Sequence, residues 1–398
     1  MNNDIYYARM QYESEEFSMK RVQVMLLVAL ASTFLLFGCG KEEETPEEPV
    51  ISNVEESQEA EEPESEEAPV EEVKEDLPPE EGMVRSKLTN EWITQEQADA
   101  RPIAVMMPTD KAAQPQFGIG QADILYECME EGNISRQMAV IDNWQTLEKI
   151  GNVRSCRDYY LYMACEWDPI LVHFGGVYYM RDRIKAGDIQ NISGTYSDGT
   201  KETTAPGNGA FFRSKDKASP HNAYVSSESL LKAMESLDYP ETHREEYYQP
   251  DHFQFATELN TLESASDAIS AGIVDLSDCY PVSKSYLEYN EADGLYYKSL
   301  HGEAQIDAAT GEQLTFTNVL IQTAYWEKRD EKYLAFQMHD TTRTGYFVTQ
   351  GKAIPVRWEK TSDYGATRFY DMQGNEIQLN TGKTYIAIVQ EGTEPIFK

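Results

Sequence analysis

Beyond about residue 90, apolar and polar positions follow different patterns in the two halves of the chain. The first half combines short continuous apolar runs, which are typical of buried strands, with stretches of helical spacing. Strands are predicted at residues 103–107, 122–129, 136–141 and 170–174, and helices after Thr94, over residues 157–166 and after Ser226 or Ser227. Strands interleaved with helices predict a mixed α/β domain, to which we assign residues 91–265.

The second half changes to a period of two. Its short runs are rich in Tyr, Val, Ile and Phe and are separated by turn signals such as Asp293-Gly294 and Thr381-Gly382. This pattern is typical of half-buried strands joined by tight turns. We therefore predict a smaller, mostly antiparallel β domain at residues 266–398. The chain as a whole is assigned to the α+β class.

The N-terminus has the pattern of a targeting segment. An apolar run at residues 22–37 follows Lys20-Arg21 and ends at Gly38-Cys39. This order is typical of a secretory signal, and the run is shorter than the about 20 residues of a membrane-spanning helix. Cys39 resembles the lipidated cysteine of a bacterial lipobox, so residues 1–39 are interpreted as a signal region, with Met19 as the true start. An uncleaved anchor is the alternative. Both interpretations tether the chain to the cell membrane, facing outside the cytoplasm.

Charge changes this picture in two ways. The 69 acidic residues against 34 Lys and Arg give a net charge of −35, which argues against nucleic acid as a partner because that binding depends on basic residues. Residues 40–90 are rich in Glu and Pro and nearly free of aromatic residues. Such a segment cannot bury enough apolar surface to fold. We predict a disordered acidic tether there, with an acidic binding tail as the alternative.

The cysteine pattern and the motifs give no cofactor or metal. Four cysteines remain after Cys39, and we favour buried free thiols over disulfides for them: Cys128, Cys156, Cys165 and Cys279. Neither CxxC nor a Cys/His cluster of zinc-ligand spacing occurs. The hydrolase and nucleotide motifs GxSxG, HExxH and GxxxxGK[ST] are also absent.

Arginines are concentrated in the first domain at Arg136, Arg154 and Arg157, and Ser155 is positioned to cap the helix predicted at residues 157–166. Guanidinium groups beside a helix start can bind an anion. The alternative is that Arg154 and Arg157 form structural ion pairs with nearby carboxylates, namely Asp158, Glu131 or Asp123.

Two histidines complete the candidate ligand site. His173 ends an apolar strand before Gly175-Gly176, and His221 lies in Pro220-His221-Asn222. Strand ends beside glycines often carry ligand groups in α/β sheets, and imidazoles titrate near neutral pH. A hydrogen-bonded core histidine is the alternative for His173. The candidate ligand-binding residues are therefore Arg136, Arg154, Arg157, His173, His221 and Asn222; catalytic residues stay unassigned.

The order of these motifs resembles the YerB-like lipoproteins, a bacterial family of unknown function. The resemblance runs from about residue 85 to 395 and rests on residues 101–107, 113–116, 122–127, 131–132, 149–155, 157–158, 173–176, 220–222, 351–352, 358, 367–371, 374–377 and 379–384. It implies an exported lipoprotein with an α/β-type domain followed by a smaller β domain. The stretch Pro108-Thr109-Asp110 and Cys156 depart from the family pattern, and the family supplies no catalytic residues to carry over.

Three functions fit the sequence. The first is a non-enzymatic, lipid-anchored protein that binds an anionic envelope ligand or a protein partner. The second is a scaffold in an envelope complex. The third is an envelope hydrolase that uses His173 or His221 as general base, with the arginines stabilising negative charge.

Overall fold

The computed structural model describes residues 77–398. The predicted signal region, the lipidation site Cys39 and the predicted tether up to residue 76 lie outside the described residues. The described part of the predicted tether is partly folded, because strand β1 begins at Met83 and the turn after it buries Leu88. This correction moves the start of the folded part from residue 91 to residue 83. The sequence offered little signal there, since β1 is only three residues long.

The first half of the described chain contains ten strands and four helices. The strands are β1 (Met83–Arg85), β2 (Trp92–Thr94), β3 (Ile103–Pro108), β4 (Ile124–Met129), β5 (Ser135–Ile141), β6 (Ile150–Gly151), β7 (Ile170–His173), β8 (Asn191–Ser193), β9 (Phe212–Arg213) and β10 (Ala223–Val225). The helices are α1 (Gln95–Asp99), α2 (Asp158–Cys165), α3 (Arg181–Lys185) and α4 (Ser227–Leu237).

The second half of the chain consists of short strands. They are β11 (Gln254–Phe255), β12 (Ile269–Ser270), β13 (Ile273–Asp275), β14 (Tyr286–Asn290), β15 (Leu295–Leu300), β16 (Glu303–Ala304), β17 (Thr315–Phe316), β18 (Asn318–Ala324), β19 (Trp326–Lys328), β20 (Leu334–Phe336), β21 (Asp340–Thr349), β22 (Lys352–Lys360), β23 (Arg368–Tyr370), β24 (Gln378–Leu379), β25 (Thr384–Gln390) and β26 (Ile396–Phe397).

An 11-stranded sheet runs through both halves in the order β12-β22-β21-β18-β25-β4-β5-β3-β7-β8, with β23 beside β22. The halves join where β25 pairs in parallel with β4, with Tyr385 opposite Leu125. A separate six-stranded antiparallel sheet contains β13 to β17 and β26. The predicted boundary between residues 265 and 266 therefore separates two sequence patterns whose strands hydrogen-bond within one sheet.

The burial of the strands explains the two hydrophobic patterns. Every residue of β3, β4 and β5 is buried, as the continuous apolar runs predict for strands covered on both faces. In β15 burial alternates residue by residue, as a period of two predicts for a strand with one covered face. The antiparallel sheets of the second half are confirmed. All four helices lie in the first half, but the described residues as a whole contain far more strand than helix, so the helix content of the expected α+β fold is low.

Helix starts follow local chemistry. Thr94 caps α1 in a reciprocal capping box with Gln97, and Ser226 caps α4. The cap predicted for α2 is wrong, because α2 begins after Arg157 without a side-chain cap. The Ser155 hydroxyl instead donates to the Phe174 carbonyl over 3.0 Å.

The four cysteines of the described part are free and buried, which confirms the interpretation as buried free thiols.

Candidate functional site

The candidate site lies at the edge of the large sheet where the parallel strands β3 and β7 end. The segment between β6 and α2 crosses this edge and is fixed to it through its backbone. The Arg154 N–H donates to the Met106 carbonyl over 2.8 Å, and the Arg154 carbonyl accepts from the Phe174 N–H over 2.9 Å. Arg154 is thereby held between the carboxyl ends of two parallel strands, a usual position for ligand groups in open α/β sheets.

Strand direction brings a second arginine to the same edge. Because β5 runs antiparallel to β3, its first residues lie beside the end of β3, with Arg136 opposite Pro108. Strand β4 ends at the same edge and is followed directly by Glu130. The Arg136 guanidinium is almost completely buried; it pairs with Glu130 and donates to the Ser155 carbonyl over 2.7 Å.

Arg157 has a structural role. Its Nε and Nη2 donate to the Glu131 carboxylate over 2.9 and 2.6 Å, and Nη2 lies 3.0 Å from Glu130 Oε2. Burial lowers the pKa of Arg157, but the two carboxylates outweigh burial and raise the pKa above its ordinary value. For Arg157 the alternative of a structural ion pair therefore describes the side chain.

Arg154 differs from both neighbours. Within residues 77–398, its half-buried side chain makes neither a hydrogen bond nor an ion pair, and its Nε is buried without a partner. Burial, followed by the charge of Arg136, lowers the pKa of Arg154, while Asp110 and Glu130 act in the opposite direction. A partly buried cation that forms no ion pair is available to a ligand.

Asp110 lies near enough to this cation for its charge to act on it but does not pair with it. It follows β3 by two residues and is half-buried, and its carboxylate has no partner among the described residues. Its charge acts on both Arg154 and His221. An unpaired carboxylate and an unpaired guanidinium therefore share one edge of the sheet.

His221 belongs to the same group. The Asn152 amide Nδ2 donates to the carbonyls of His221 and Ala113, over 3.0 Å each, which positions His221 beside the segment that follows β3. Its Nδ1 is buried and has no partner. Burial, together with Arg154 and Arg136, lowers the pKa of His221 against the opposing effect of Asp110. The imidazole is therefore neutral at neutral pH.

Two glutamines complete the polar lining. The Nε2 groups of Gln114 and Gln116 both donate to the Pro108 carbonyl, over 3.3 and 3.0 Å, while both Oε1 atoms are buried without a partner. Sequence reasoning assigned no role to these glutamines or to Asp110. The available signal was their position directly after a buried strand.

The remaining two candidates do not join the group through their side chains. His173 is completely buried, with Nδ1 2.8 Å from the Gly175 carbonyl and Nε2 3.1 Å from Asn191 Oδ1, so it fits the alternative of a core histidine. Asn222 follows His221, but its Oδ1 accepts a hydrogen bond from Arg213 over 2.6 Å.

Neither a membrane-spanning helix nor a metal cluster occurs among the described residues. No helix there is long and apolar enough to cross a membrane. Residues 77–398 also contain no group of three or more His, Cys, Asp or Glu side chains arranged to hold a metal ion.

The chain belongs to a family whose function is unknown. Two family models match the chain: the N-terminal domain of DUF3048 at residues 88–240 and its C-terminal domain at residues 276–386, both described as domains of a protein of unknown function. Together they cover more than half of the chain, which therefore belongs to this family of YerB-like proteins. The predicted domain boundary falls in the stretch between the two matches.

The named relative is YerB of Bacillus subtilis (strain 168), a predicted lipoprotein. It is 25% identical over 320 residues, which cover 77% of this chain and 87% of YerB. The crystal structure of YerB matches with a TM-score of 0.64 at 24% identity, covering 77% of this chain and 96% of YerB. The similarity of the structures concerns the fold, and the family resemblance expected from the sequence is confirmed.

Proposed function

We propose that this protein is a membrane-anchored, extracytoplasmic binding protein whose strand-edge site takes the anionic group of an envelope ligand. The anchor is a lipid on Cys39, the last residue of the predicted signal region 1–39. The relationship to a predicted lipoprotein supports the anchor.

The observation that carries the proposal is the unpaired guanidinium of Arg154. In a chain with a net charge of −35, acidic partners are plentiful, and the adjacent Arg157 binds two of them. Arg154 nevertheless forms no ion pair within the described residues. Leaving a desolvated charge unpaired costs stability. Groups of this kind are typical of ligand sites, where function is retained at the expense of stability.

The hydrolase alternative receives less support. It used His173 or His221 as general base, but His173 is enclosed, with both ring nitrogens within hydrogen-bond distance of neighbouring groups. His221 alone remains near the arginines, and its position fits a role in binding.

Binding is tested by titrating the full-length protein, purified in detergent, with acetate, inorganic phosphate and carboxylated envelope metabolites, using calorimetry. We expect at least one ligand to bind wild type and to lose about tenfold or more in affinity with Arg154→Gln, because a charge-assisted hydrogen bond is removed.

The matched control is Arg343→Gln, which removes an arginine that is paired with Asp340 and Glu391 and should leave the affinity unchanged. If every ligand binds wild type and Arg154→Gln equally, the proposed site is wrong.

A further inference from the structure

Buried polar atoms without a hydrogen-bond partner gather at the strand-edge site. Those at the site belong to both kinds, donors on the arginines and acceptors on the glutamines, and they are Arg136 Nε, Arg154 Nε, Gln114 Oε1, Gln116 Oε1 and His221 Nδ1. Buried polar groups in native proteins are nearly all hydrogen-bonded. A ligand that satisfies this group must therefore offer acceptors and donors together, which a fully deprotonated anion such as acetate does not.

The site also contains unpaired charges of both signs, on Arg154 and Asp110. The Asp110 carboxylate lies close enough for its charge to raise the pKa of Arg154 against the effect of burial, yet the two side chains form no ion pair. The backbone of Arg154 is fixed to Met106 and Phe174. The Asp110 carbonyl accepts from the Ala113 N–H over 2.9 Å, which fixes the turn after β3. An unpaired cation and an unpaired anion thus lie at the same end of β3.

We propose that the ligand is a zwitterion of the amino-acid class, with its carboxylate on the Arg154 guanidinium and its ammonium group on the Asp110 carboxylate. This inference rests on the proposed function and specifies the chemistry of the same site. The glutamine Oε1 atoms accept hydrogen bonds from the ammonium group or from an adjacent amide N–H, and Arg136 Nε donates to the carboxylate.

The net charge of the protein favours the same class of ligand. A chain with a net charge of −35 repels a free anion as it approaches, and the repulsion is strongest at low ionic strength. A zwitterion carries no net charge and meets no such repulsion. Inside the site it still presents a full negative charge to Arg154.

The test compares three matched forms of each ligand: the common amino acids and their dipeptides, free, N-acetylated and C-amidated. Calorimetry on the full-length protein in detergent measures all three series. The free form is expected to bind at least about tenfold more tightly than either blocked form, because each blocked form lacks one of the two charges. Comparison of free amino acids with free dipeptides shows whether the two charges of the ligand belong to a single residue or to the ends of a short peptide.

Two variants assign the charges. Asp110→Asn should abolish the preference for the free over the N-acetylated form, while Arg154→Gln should abolish the preference for the free over the amidated form. The control Asp278→Asn changes an exposed aspartate between β13 and β14 and should alter neither preference.

Failure of this inference is distinguishable from failure of the proposed function. If N-acetylated ligands bind as tightly as free ones in an Arg154-dependent manner, the anion site stands and the zwitterion is refuted. If the free forms do not bind wild type, the zwitterion is refuted as well, and the titrations with acetate, phosphate and carboxylated metabolites decide the proposed function. If binding occurs without dependence on Arg154, both are refuted.

Discussion

Arg154 and Arg157 lie three positions apart, and replacing each by glutamine should have different effects on the free energy of unfolding. Arg157 is 12% exposed and pairs with Glu131, which is 18% exposed, and with Glu130, which is 6% exposed. Arg157→Gln leaves Glu130 paired with Arg136 alone and removes the ion pair of Glu131. Breaking a buried ion pair costs about 3–5 kcal/mol. Because Glu131 is partly hydrated, we expect the lower end of this range, about 3 kcal/mol.

Arg154→Gln removes a charge that has no partner to lose. Among the described residues nothing is left unpaired by the change, and the desolvation of the charged group is relieved. We expect its free energy of unfolding to stay within about 0.5 kcal/mol of wild type or to rise by about 1 kcal/mol.

Thermal unfolding of the ligand-free protein, followed by circular dichroism, distinguishes the two. At about 2 °C per kcal/mol for a chain of this size, Arg157→Gln should lower the Tm by about 6 °C, whereas Arg154→Gln should leave it unchanged or raise it. An Arg154→Gln protein that melts as early as Arg157→Gln would refute the reasoning, because Arg154 would then stabilise the fold and the argument for a ligand would be lost.

Two further predictions concern the fold. Burial raises the pKa of Glu166, but Lys360 and His252 outweigh burial and bring the pKa to about 2. The stability that ionised Glu166 contributes is complete above its ordinary pKa of 4.5 and is lost as the pH falls towards about 2. Between these limits the difference in unfolding free energy between wild type and Glu166→Gln should shrink by about 3 kcal/mol in denaturant titrations, and a constant difference would contradict the assignment. In β21, a Cβ on Gly345 would overlap the Ile321 carbonyl oxygen of β18; Gly345→Ala should therefore lower the denaturation midpoint by an amount equivalent to about 2 kcal/mol. Gly209→Ala, at a glycine with open space around it, should change little, and equal effects would show that the β18–β21 contact is not the constraint.

Local sequence signals predicted the elements of the fold better than their arrangement. The runs that became β3 and β5 were readable because a strand buried on both faces must be apolar throughout. The pairing of β25 with β4 joins residues about 260 positions apart, and no local pattern encodes such a partner. The period-two signal therefore indicated a separate β domain, although part of it completes the large sheet.

The candidate site was predictable in its arginines and not in their partners. Sequence proximity offered Asp158 as a counter-charge for Arg154 or Arg157, but Asp158 pairs with Arg329 from the second half of the chain. Asp110 attracted attention only as a departure from the family pattern. Which charges remain unpaired is a property of the whole fold, because every partner that could neutralise them must first be placed.

The separation of Arg154 and Asp110 follows from the same strands that bring them together. Arg154 is held by backbone bonds to β3 and to the residue after β7, and Asp110 by the turn that continues β3. Moving either backbone would break hydrogen bonds at the sheet edge, so both charged residues keep fixed backbone positions. A site whose backbone is fixed in this way needs little backbone rearrangement on binding, and this preorganisation reduces the entropic cost of holding a small ligand. Affinity should therefore depend more on matching both charges than on the apolar area that the ligand buries.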